Sequence, residues 1–357
     1  MKNQIKMPRY LGIALAVILI FSVAQSHAGE GKVKRFNKTF TVTQDHILSI
    51  SNQFGDVNIS HWDKKEVKVQ IEVLVDYNNE KKGQEVLDKI AIDIDEKSNL
   101  LRIATQINQG KHNVNIGKNE KMQINYVVSM PADIRLELEN KFGDITLDML
   151  SAKADIELQF GSAKIGKLLH QENELSFKFS DPVIIDELGG GELEVKFSKL
   201  ELGRCGDINL LSEMSTTNMN QMGNSEVKVS HGGFNAKQVK RIQMKSSMTT
   251  VKIDQLIEGG IIDVEHGKLI IGELSKTFAG LEVDSKFGPV EIGIEQGSKL
   301  RLDAETSMAG LDLPSGYEVI DTEAVGNNKS FQGALGGDGT NLPLLKVSSS
   351  FGSTKIK

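Results

Sequence analysis

Hydrophobic positions along this chain recur in a short cassette. A Phe, Met or His is followed by a small residue, and apolar residues stand three and five positions further on, as in Phe142-Gly143 with Ile145 and Leu147. From Phe142 onward the cassettes follow one another at intervals of 17 to 21 residues, and a longer interval precedes the last one. Such a period predicts a fold that stacks one small unit many times.

The leading positions of the cassettes form a column of twelve residues. Each is followed by Gly, Ser, Thr or Ala, which predicts a tight corner where a larger side chain clashes or needs an unfavourable φ. We expect the side chains of this column to stack as a ladder inside the fold. The column consists of Phe54, Phe142, Phe160, Phe179, Phe197, Met214, His231, Met248, His266, Phe287, Met308 and Phe351.

Alternation on both sides of each corner predicts the strands. Leu193 and Val195 lead to Phe197 with Glu and Lys between them, a period of two that is typical of a strand buried on one face. A strand, a corner, a second strand and a short return make about 18 residues, enough for one coil of a β-helix whose equivalent residues lie ~4.8 Å apart. A β-propeller needs roughly 40 residues per blade and a β-sandwich lacks such a cassette, so both fit less well. The predicted fold is an all-β, single-chain β-helix or β-roll solenoid.

The interval between Phe54 and Phe142 departs from this period. Its hydrophobic pattern predicts strands at 66–76, 99–107 and 121–129 and a short amphipathic helix within 79–90. We interpret this part as a small α+β section that caps one end of the stack, since an uncovered end presents unpaired backbone.

The opposite end of the stack needs similar protection. Lys346, Lys355 and Lys357 are expected to protect an exposed strand edge there. The predicted organisation is therefore a leader at 1–28, the N-terminal section at 29–135 and solenoid repeats at 136–357.

The leader has the pattern of a secretory signal peptide. Lys2, Lys6 and Arg9 precede an apolar run from residue 11 to 24, and Ser26-His27-Ala28 places small residues at −3 and −1 of a cleavage site. A retained membrane anchor is the alternative, but about 14 apolar residues fall short of the ~20 that a bilayer needs. We expect export to the periplasm, the cell surface or the medium, without stable membrane insertion after cleavage.

Composition adds two exclusions. The chain has 42 Lys+Arg and 48 Asp+Glu, and removal of the leader makes the net charge about −9. Without a basic segment, a nucleic-acid partner is disfavoured. Cys205 is the single cysteine, so no internal disulfide forms, and a buried small hydrophobe is a better interpretation than a nucleophile.

Four segments together resemble a known family. They are the start at 40–42, the stretch Leu48 to Ile59 with Asn52-Gln53-Phe54-Gly55-Asp56-Val57, the stretch 126–131, and Asn140-Lys141-Phe142-Gly143-Asp144-Ile145. They are similar to the bacterial putative-adhesin domain of unknown function, and the resemblance covers nearly all of the chain beyond the leader. It implies an exported stacked β-solenoid and provides no catalytic residues.

Candidate metal ligands are few. His231 and His266 stand two coils apart, hence ~10 Å, with Met248 between them, so we expect them to fill the core. Asp56, Asp144 and Asp181 share the position two after the aromatic residue and could bind Ca²⁺ or pair as acid and base. Asp is also an ordinary corner residue, and we favour that turn role.

No catalytic set, cofactor site or metal site is therefore predicted. The leading hypothesis is an exported non-enzymatic adhesin or surface scaffold with an unknown protein or surface ligand. The second is a periplasmic accessory protein in envelope sensing or assembly that binds a protein partner. The third is a β-helical polysaccharide-active enzyme, which is disfavoured because Trp62, Tyr77, Tyr126 and Tyr317 are the few rings left to stack on sugars.

Overall fold

The computed structural model describes residues 31–107, 117, 120–337 and 341–357. The predicted signal peptide lies outside these residues. Within them the chain is all-β apart from one helix, and 26 strands belong to one hydrogen-bonded sheet system.

The N-terminal part contains seven strands and the helix. The elements are β1 (Lys32–Thr41), β2 (Ile47–Gln53), β3 (Val57–His61), β4 (Glu66–Asp76), α1 (Glu80–Asp88), β5 (Ile90–Glu96), β6 (Leu100–Ile107) and β7 (Lys121–Met130). The predictions of strands β4, β6 and β7 and of the helix are confirmed. Helix α1 begins where the Asn79 side chain accepts a hydrogen bond from the backbone N–H of Lys82, the usual N-cap arrangement.

The remaining strands follow at short intervals. They are β8 (Arg135–Lys141), β9 (Ile145–Leu150), β10 (Ala154–Gln159), β11 (Ala163–Leu168), β12 (Asn173–Lys178), β13 (Val183–Leu188), β14 (Gly191–Lys196), β15 (Lys199–Cys205), β16 (Ile208–Glu213), β17 (Thr216–Glu265), β18 (Lys268–Leu274), β19 (Gly280–Lys286), β20 (Val290–Ile294), β21 (Leu300–Ser307), β22 (Leu311–Asp312), β23 (Tyr317–Val325), β24 (Asn328–Leu335), β25 (Leu344–Ser350) and β26 (Thr354–Ile356). The long β17 runs through the corners at His231 and Met248.

Parallel pairing arranges these strands in two rows. The first row joins β2, β8, β10, β12, β14 and β16, which lie before the corners, and the second joins β3, β9, β11, β13 and β15, which lie after them. Strand β17 continues both rows, pairing with β15 and β16 on one side and with β18 and β19 on the other. From β8 to β15, each strand is therefore bonded to the strand two further along the chain.

Apolar side chains of the two rows face each other and make the core. Leu136 and Leu138 before the corner and Ile145 and Leu147 after it are at most 2% exposed, and later strands repeat the pattern. Burial of such side chains is worth ~1.5–3 kcal/mol each, which makes this interior the main source of stability.

Two buried asparagines join the first two corners. The Asn52 amide donates to the Asn140 side-chain oxygen at 3.1 Å and to the Ile124 carbonyl at 3.0 Å, and the Asn140 amide donates to the Gly55 carbonyl at 3.1 Å. Thr105 donates to the Asn52 oxygen at 3.0 Å. Because these carbonyls lie in a dry interior, the network satisfies groups that are costly to bury alone.

The order of strands in space departs from the order in sequence at both ends. After β3 the chain forms β4 to β7 and returns to place β8 directly on β2, although 88 residues separate Asn52 from its partner Asn140. Strands β6 and β7 pair in parallel with the other sides of β2 and β3, and β1, β4 and β5 add antiparallel strands beyond them. The capping role of this section stays a prediction.

At the other end, the last strands are inserted between earlier ones. Strand β25 lies between β19 and β21, and β26 lies between β20 and β22. The expectation that Lys346, Lys355 and Lys357 protect an exposed edge is wrong, because the strands of Lys346 and Lys355 are bonded on both sides and Lys357, just after β26, bonds through its backbone to β20. The antiparallel strands β24 and β23 extend beyond β21 instead.

Close backbone approach at the corners predicts the effect of one substitution. A Cβ added to Gly143 would collide with the carbonyl oxygen of Gly55 in the neighbouring corner, whereas nothing lies within 4 Å of a Cβ added to Gly310. We expect Gly143→Ala to lower the free energy of unfolding by ~1–3 kcal/mol, the usual cost of overpacking, and Gly310→Ala to leave it nearly unchanged. Urea unfolding measures both, and equal effects would contradict the close approach.

Candidate functional site

The column of corner residues lies on the outside of the fold. The expected internal ladder is wrong: Phe142, Phe160, Phe179 and Phe197 expose 45–49% of their surface. The cause is the backbone, since all twelve column residues have φ between 47° and 63°. This left-handed conformation breaks the two-residue alternation of the strand, so a residue whose phase points inward turns its side chain outward. We call this column the corner ladder.

Rings of the corner ladder stack face to face. From Phe54 to Phe197 the centroids of neighbouring rings are 4.7–5.2 Å apart, and their planes are within 9° of parallel. The stack continues through His266, Phe287 and Phe351 at 4.7 and 5.0 Å. Because ring faces cover one another, solvent meets chiefly the ring edges, a continuous narrow apolar stripe along the molecule.

Such a ladder is unusual because bulky residues rarely adopt positive φ. The left-handed conformation costs a residue with a Cβ roughly 1–2 kcal/mol, and an aromatic pair returns ~0.5–1.5 kcal/mol. Ring stacking at these magnitudes therefore offsets much of the strain at each corner, and the strained backbone itself remains. Backbone strain of this kind is concentrated at positions with a functional role, which makes the stripe a candidate binding surface.

The corner carboxylates act as turn caps. Asp56 accepts a hydrogen bond from the backbone N–H of Asp144 at 2.9 Å, and Asp144 accepts one from the N–H of Ser162 at 2.7 Å. These contacts support the turn role that the sequence favoured. They also show that Asp56 and Asp144 are neighbours across adjacent corners, despite the section between them.

A second surface feature is a row of carboxylates on the outward face of the first strand row. Glu137, Asp155, Glu174 and Glu192 are in register on neighbouring parallel strands, so adjacent members are ~4.8 Å apart. We call this set the acidic row. Each member stands five positions before the corner-ladder residue that follows it in the sequence. Alignment of the cassettes would therefore have revealed the acidic row.

Basic residues neutralise only part of the acidic row. Arg135 pairs with Glu137 at 3.2 Å, and Lys153 pairs with Glu174 and thereby lowers the pKa of that carboxyl. Asp155 has no salt bridge among the described residues. Burial, reinforced by the neighbouring Glu174, raises the pKa of Asp155.

Two adjoining depressions lie over this face. Their volumes are about 800 and 560 Å³, and both are lined by Glu174, Glu192, Asn209 and Glu226. A shallow acidic groove of this kind suits a cationic ligand, since like charges held ~4.8 Å apart repel and an added positive charge relieves the repulsion.

Burial restricts three other side chains that the sequence analysis considered, Cys205, Tyr77 and Tyr126. Burial raises the pKa of the Cys205 thiol to about 12, so the thiolate needed for nucleophilic attack is strongly disfavoured. Tyr77 and Tyr126 are at most 8% exposed, which removes two of the four rings that the sequence left for stacking on sugars.

Within the described residues, no three His, Cys, Asp or Glu side chains lie close enough together to hold a metal ion. Helix α1 has nine residues, and no described helix has the length and hydropathy that a bilayer crossing requires.

Among known proteins, only solved structures are similar to this chain. No protein-family model and no curated protein matches the chain. It is similar to a putative adhesin from Parabacteroides merdae over 90% of this chain and 96% of the other, with 11% identity and a TM-score of 0.28. A putative cell adhesion protein from Clostridium sporogenes matches over 91% and 99%, with 12% identity and a TM-score of 0.20.

A third solved structure has a different name. It is a putative lipid binding protein from Parabacteroides distasonis, which matches over 90% of this chain and 96% of the other, with 9% identity and a TM-score of 0.24. At these identities and TM-scores the likeness carries no argument about fold or function.

The left-handed backbone at the corners predicts that a Gly variant is more stable than an Ala variant there, the reverse of the usual order. Phe160→Ala keeps the strain and loses the ring contacts, whereas Phe160→Gly loses the same contacts and relieves the strain. We expect the Gly variant to be more stable than the Ala variant by ~1 kcal/mol. At Lys164, an exposed strand position, the usual order should hold, with the Ala variant more stable than the Gly variant. Urea unfolding gives the free energy of unfolding of the four variants. An Ala variant that is more stable than the Gly variant at position 160 would contradict the backbone strain.

Ion pairing predicts an acid-sensitive contribution from Glu194. A hydrogen bond from Lys196 at 2.8 Å, aided by Ser176 and Lys178, lowers the pKa of this carboxyl from 4.5 to about 2. Since the folded-state pKa is the lower one, the stabilisation is complete above pH 4.5 and is lost as the pH falls toward 2. We expect Glu194→Gln to be less stable than the unaltered protein at pH 7 and equally stable near pH 2. Unfolding at both pH values tests this, and a constant difference would contradict it.

Proposed function

We propose that the protein is an exported, non-enzymatic β-solenoid that acts as an adhesin or surface scaffold. The observation that carries the proposal is the corner ladder, an exposed apolar stripe that runs along the stack at a spacing of 4.7–5.2 Å where rings are neighbours. Exposed, contiguous apolar surface is a mark of interaction sites. A repeated edge of this kind suits an extended partner rather than a small enclosed substrate.

Strand pairing supports the solenoid part of the proposal. Strands of both rows pair in parallel with the strand two further along, as β10 pairs with β8 and β12. One coil then contains one strand of each row, the corner between them and a return. Export rests on the predicted leader, and the compartment is the periplasm or the cell surface.

The acidic row favours a second candidate function. A periplasmic accessory protein that binds a cationic segment of a protein partner would use Asp155, Glu174 and Glu192 in the groove above β10, β12 and β14. Attraction of this kind weakens with salt, because exposed charges are screened over ~8–10 Å at physiological ionic strength.

Two sets of substitutions separate these candidates. The ladder variant replaces Phe142, Phe160 and Phe179 by Asn, a polar residue that tolerates the left-handed conformation, so the corners keep their backbone. The row variant replaces Asp155 by Asn and Glu174 and Glu192 by Gln.

A control variant changes a different outward face. It carries Lys164→Ala, Glu201→Ala and Lys252→Ala, at outward positions of the second strand row. Circular dichroism and urea unfolding check that all three variants fold.

The measurement is binding of the purified protein to intact cells, to an envelope extract and to a glycan array. We expect saturable binding to cells or glycans that the ladder variant loses and the other variants keep. A single protein partner from the extract, lost in the row variant and at high salt, would instead establish the accessory role. Sugar cleavage on the array would overturn the non-enzymatic part, and no binding in any arm would overturn both candidates.

A further inference from the structure

Four successive positions of the corner ladder are occupied by sulfur and imidazole side chains instead of Phe. Met214, His231, Met248 and His266 alternate strictly, between five Phe residues on one side and Phe287 on the other. Met308 is the one other column member that is not Phe. It lies next to Phe351, because Ser307 and Ser350 are paired in register.

Strand register makes these four residues nearest neighbours. The N–H of Met214 bonds to the carbonyl of Ser230, the residue before His231, at 2.9 Å. Thr250 pairs with Lys268, which places Met248 beside His266. Between these pairs, the side-chain bond from Gln238 to Gln255 at 2.8 Å shows the same offset of 17 residues that joins His231 to Met248.

Their side chains are accessible to ions in solution. Met214 and Met248 expose 53% and 55% of their surface, and both histidines are exposed. The positive φ at each position causes this, with 54° at His231 and 49° at Met248. The two histidines therefore do not fill the core, and that expectation from the sequence is wrong.

The donor atoms define the kind of ion that fits. A thioether is a soft, neutral ligand that selects ions such as Cu(I), and a neutral imidazole nitrogen binds the same ions well. Carboxylate, carbonyl and water ligands, which hard divalent ions prefer, do not belong to the set. Two sulfur atoms flank His231, one from each neighbouring corner.

Geometry allows one ion to contact three of these side chains. His266 stacks on Phe287 with planes 3° apart, so an imidazole in this column can lie parallel to its neighbours, and the lone pair of its unprotonated nitrogen lies in the ring plane. Metal bonds of about 2.0 Å to nitrogen and about 2.3 Å to sulfur are short compared with the strand spacing of ~4.8 Å. A flanking Met must therefore bend toward the histidine edge, which its three rotatable bonds permit.

We propose that His231, Met214 and Met248 bind a soft monovalent metal ion, Cu(I) or Ag(I), at the outer edge of the corner ladder. The imidazole nitrogen of His231 and the two thioether sulfurs are the ligands. His266 shares Met248 and provides a second, weaker position. This assignment is independent of the adhesive role.

Silver nitrate is the probe, since Ag(I) is stable in air. Titration of the purified protein is followed by calorimetry and by NMR of the histidine ring nitrogens and the methionine methyl groups. We expect saturable binding that shifts the His231 nitrogen together with the Met214 and Met248 methyl signals.

Substitution by Phe gives a conservative variant, because Phe is the residue at most other column positions. We expect His231→Phe and the double variant Met214→Phe/Met248→Phe each to weaken Ag(I) binding at least tenfold. Met308→Phe, which changes a Met that has no histidine beside it, should leave the affinity unchanged. The same variants should lower Cu(I) affinity in an anaerobic competition with a chromogenic chelator.

The free thiol needs its own control. All titrations are repeated with Cys205→Ala, which should retain the His231 and methionine shifts. Ag(I) affinity that is lost with Cys205→Ala, or that changes less than twofold in the His231→Phe and double methionine variants, would overturn the assignment. Zn(II) that binds more tightly than Ag(I) at the same residues would overturn the preference for a soft ion.

Discussion

The left-handed backbone at each corner is the constraint on which the rest of this structure depends. One residue with φ near 50–60° turns the chain from a strand of the first row into a strand of the second. Because the same turn recurs whether the residue is Phe, Met or His, the strands of successive units fall into parallel register. The close approach of corner backbones, the stacked rings and the chain of Asp caps from Asp56 to Ser162 all follow from this one repeated conformation.

The corner also divides the chemistry of the molecule between inside and outside. Period-two alternation keeps residues such as Leu158 and Val195 in the core, and the turn then moves the next residue of that phase to the surface. Large apolar side chains are thus displayed outside without exposing the core. The two candidate surfaces, the corner ladder and the acidic row, are both consequences of in-register stacking, since each repeats one cassette position along the stack.

Much of the fold could be predicted from the sequence, and the predictions that were wrong have physical reasons. The cassette predicted the strands, the corners and the all-β class, and hydrophobic periodicity located α1, β4, β6 and β7. The cassette placed the corner ladder inside the fold, because the apolar character of its residues and their position in the two-residue alternation both indicated burial. Neither feature reveals the value of φ. The proximity of Asp56 to Asp144 and the insertion of β25 were missed because both depend on contacts between residues far apart in sequence. Alignment of the cassettes could have revealed the acidic row, whereas the groove above it is lined by residues of several strands whose arrangement the pattern does not give.

The insertion of β25 and β26 has a consequence for the order of assembly. Strands β10 to β17 pair with neighbours that are close in sequence, so these pairings can form one after another as the chain emerges. Strand β21 reaches β19 only through β25, which is made after it, so β21 to β24 must wait for residues 344–356 before they join the stack. At the other end, β2 and β3 gain their partners β8 and β9 only when a whole intervening section has been synthesised. The pairing of β2 and β3 can therefore be completed once β9 has been made, the middle then grows strand by strand, and the end formed by β21 to β26 is completed last.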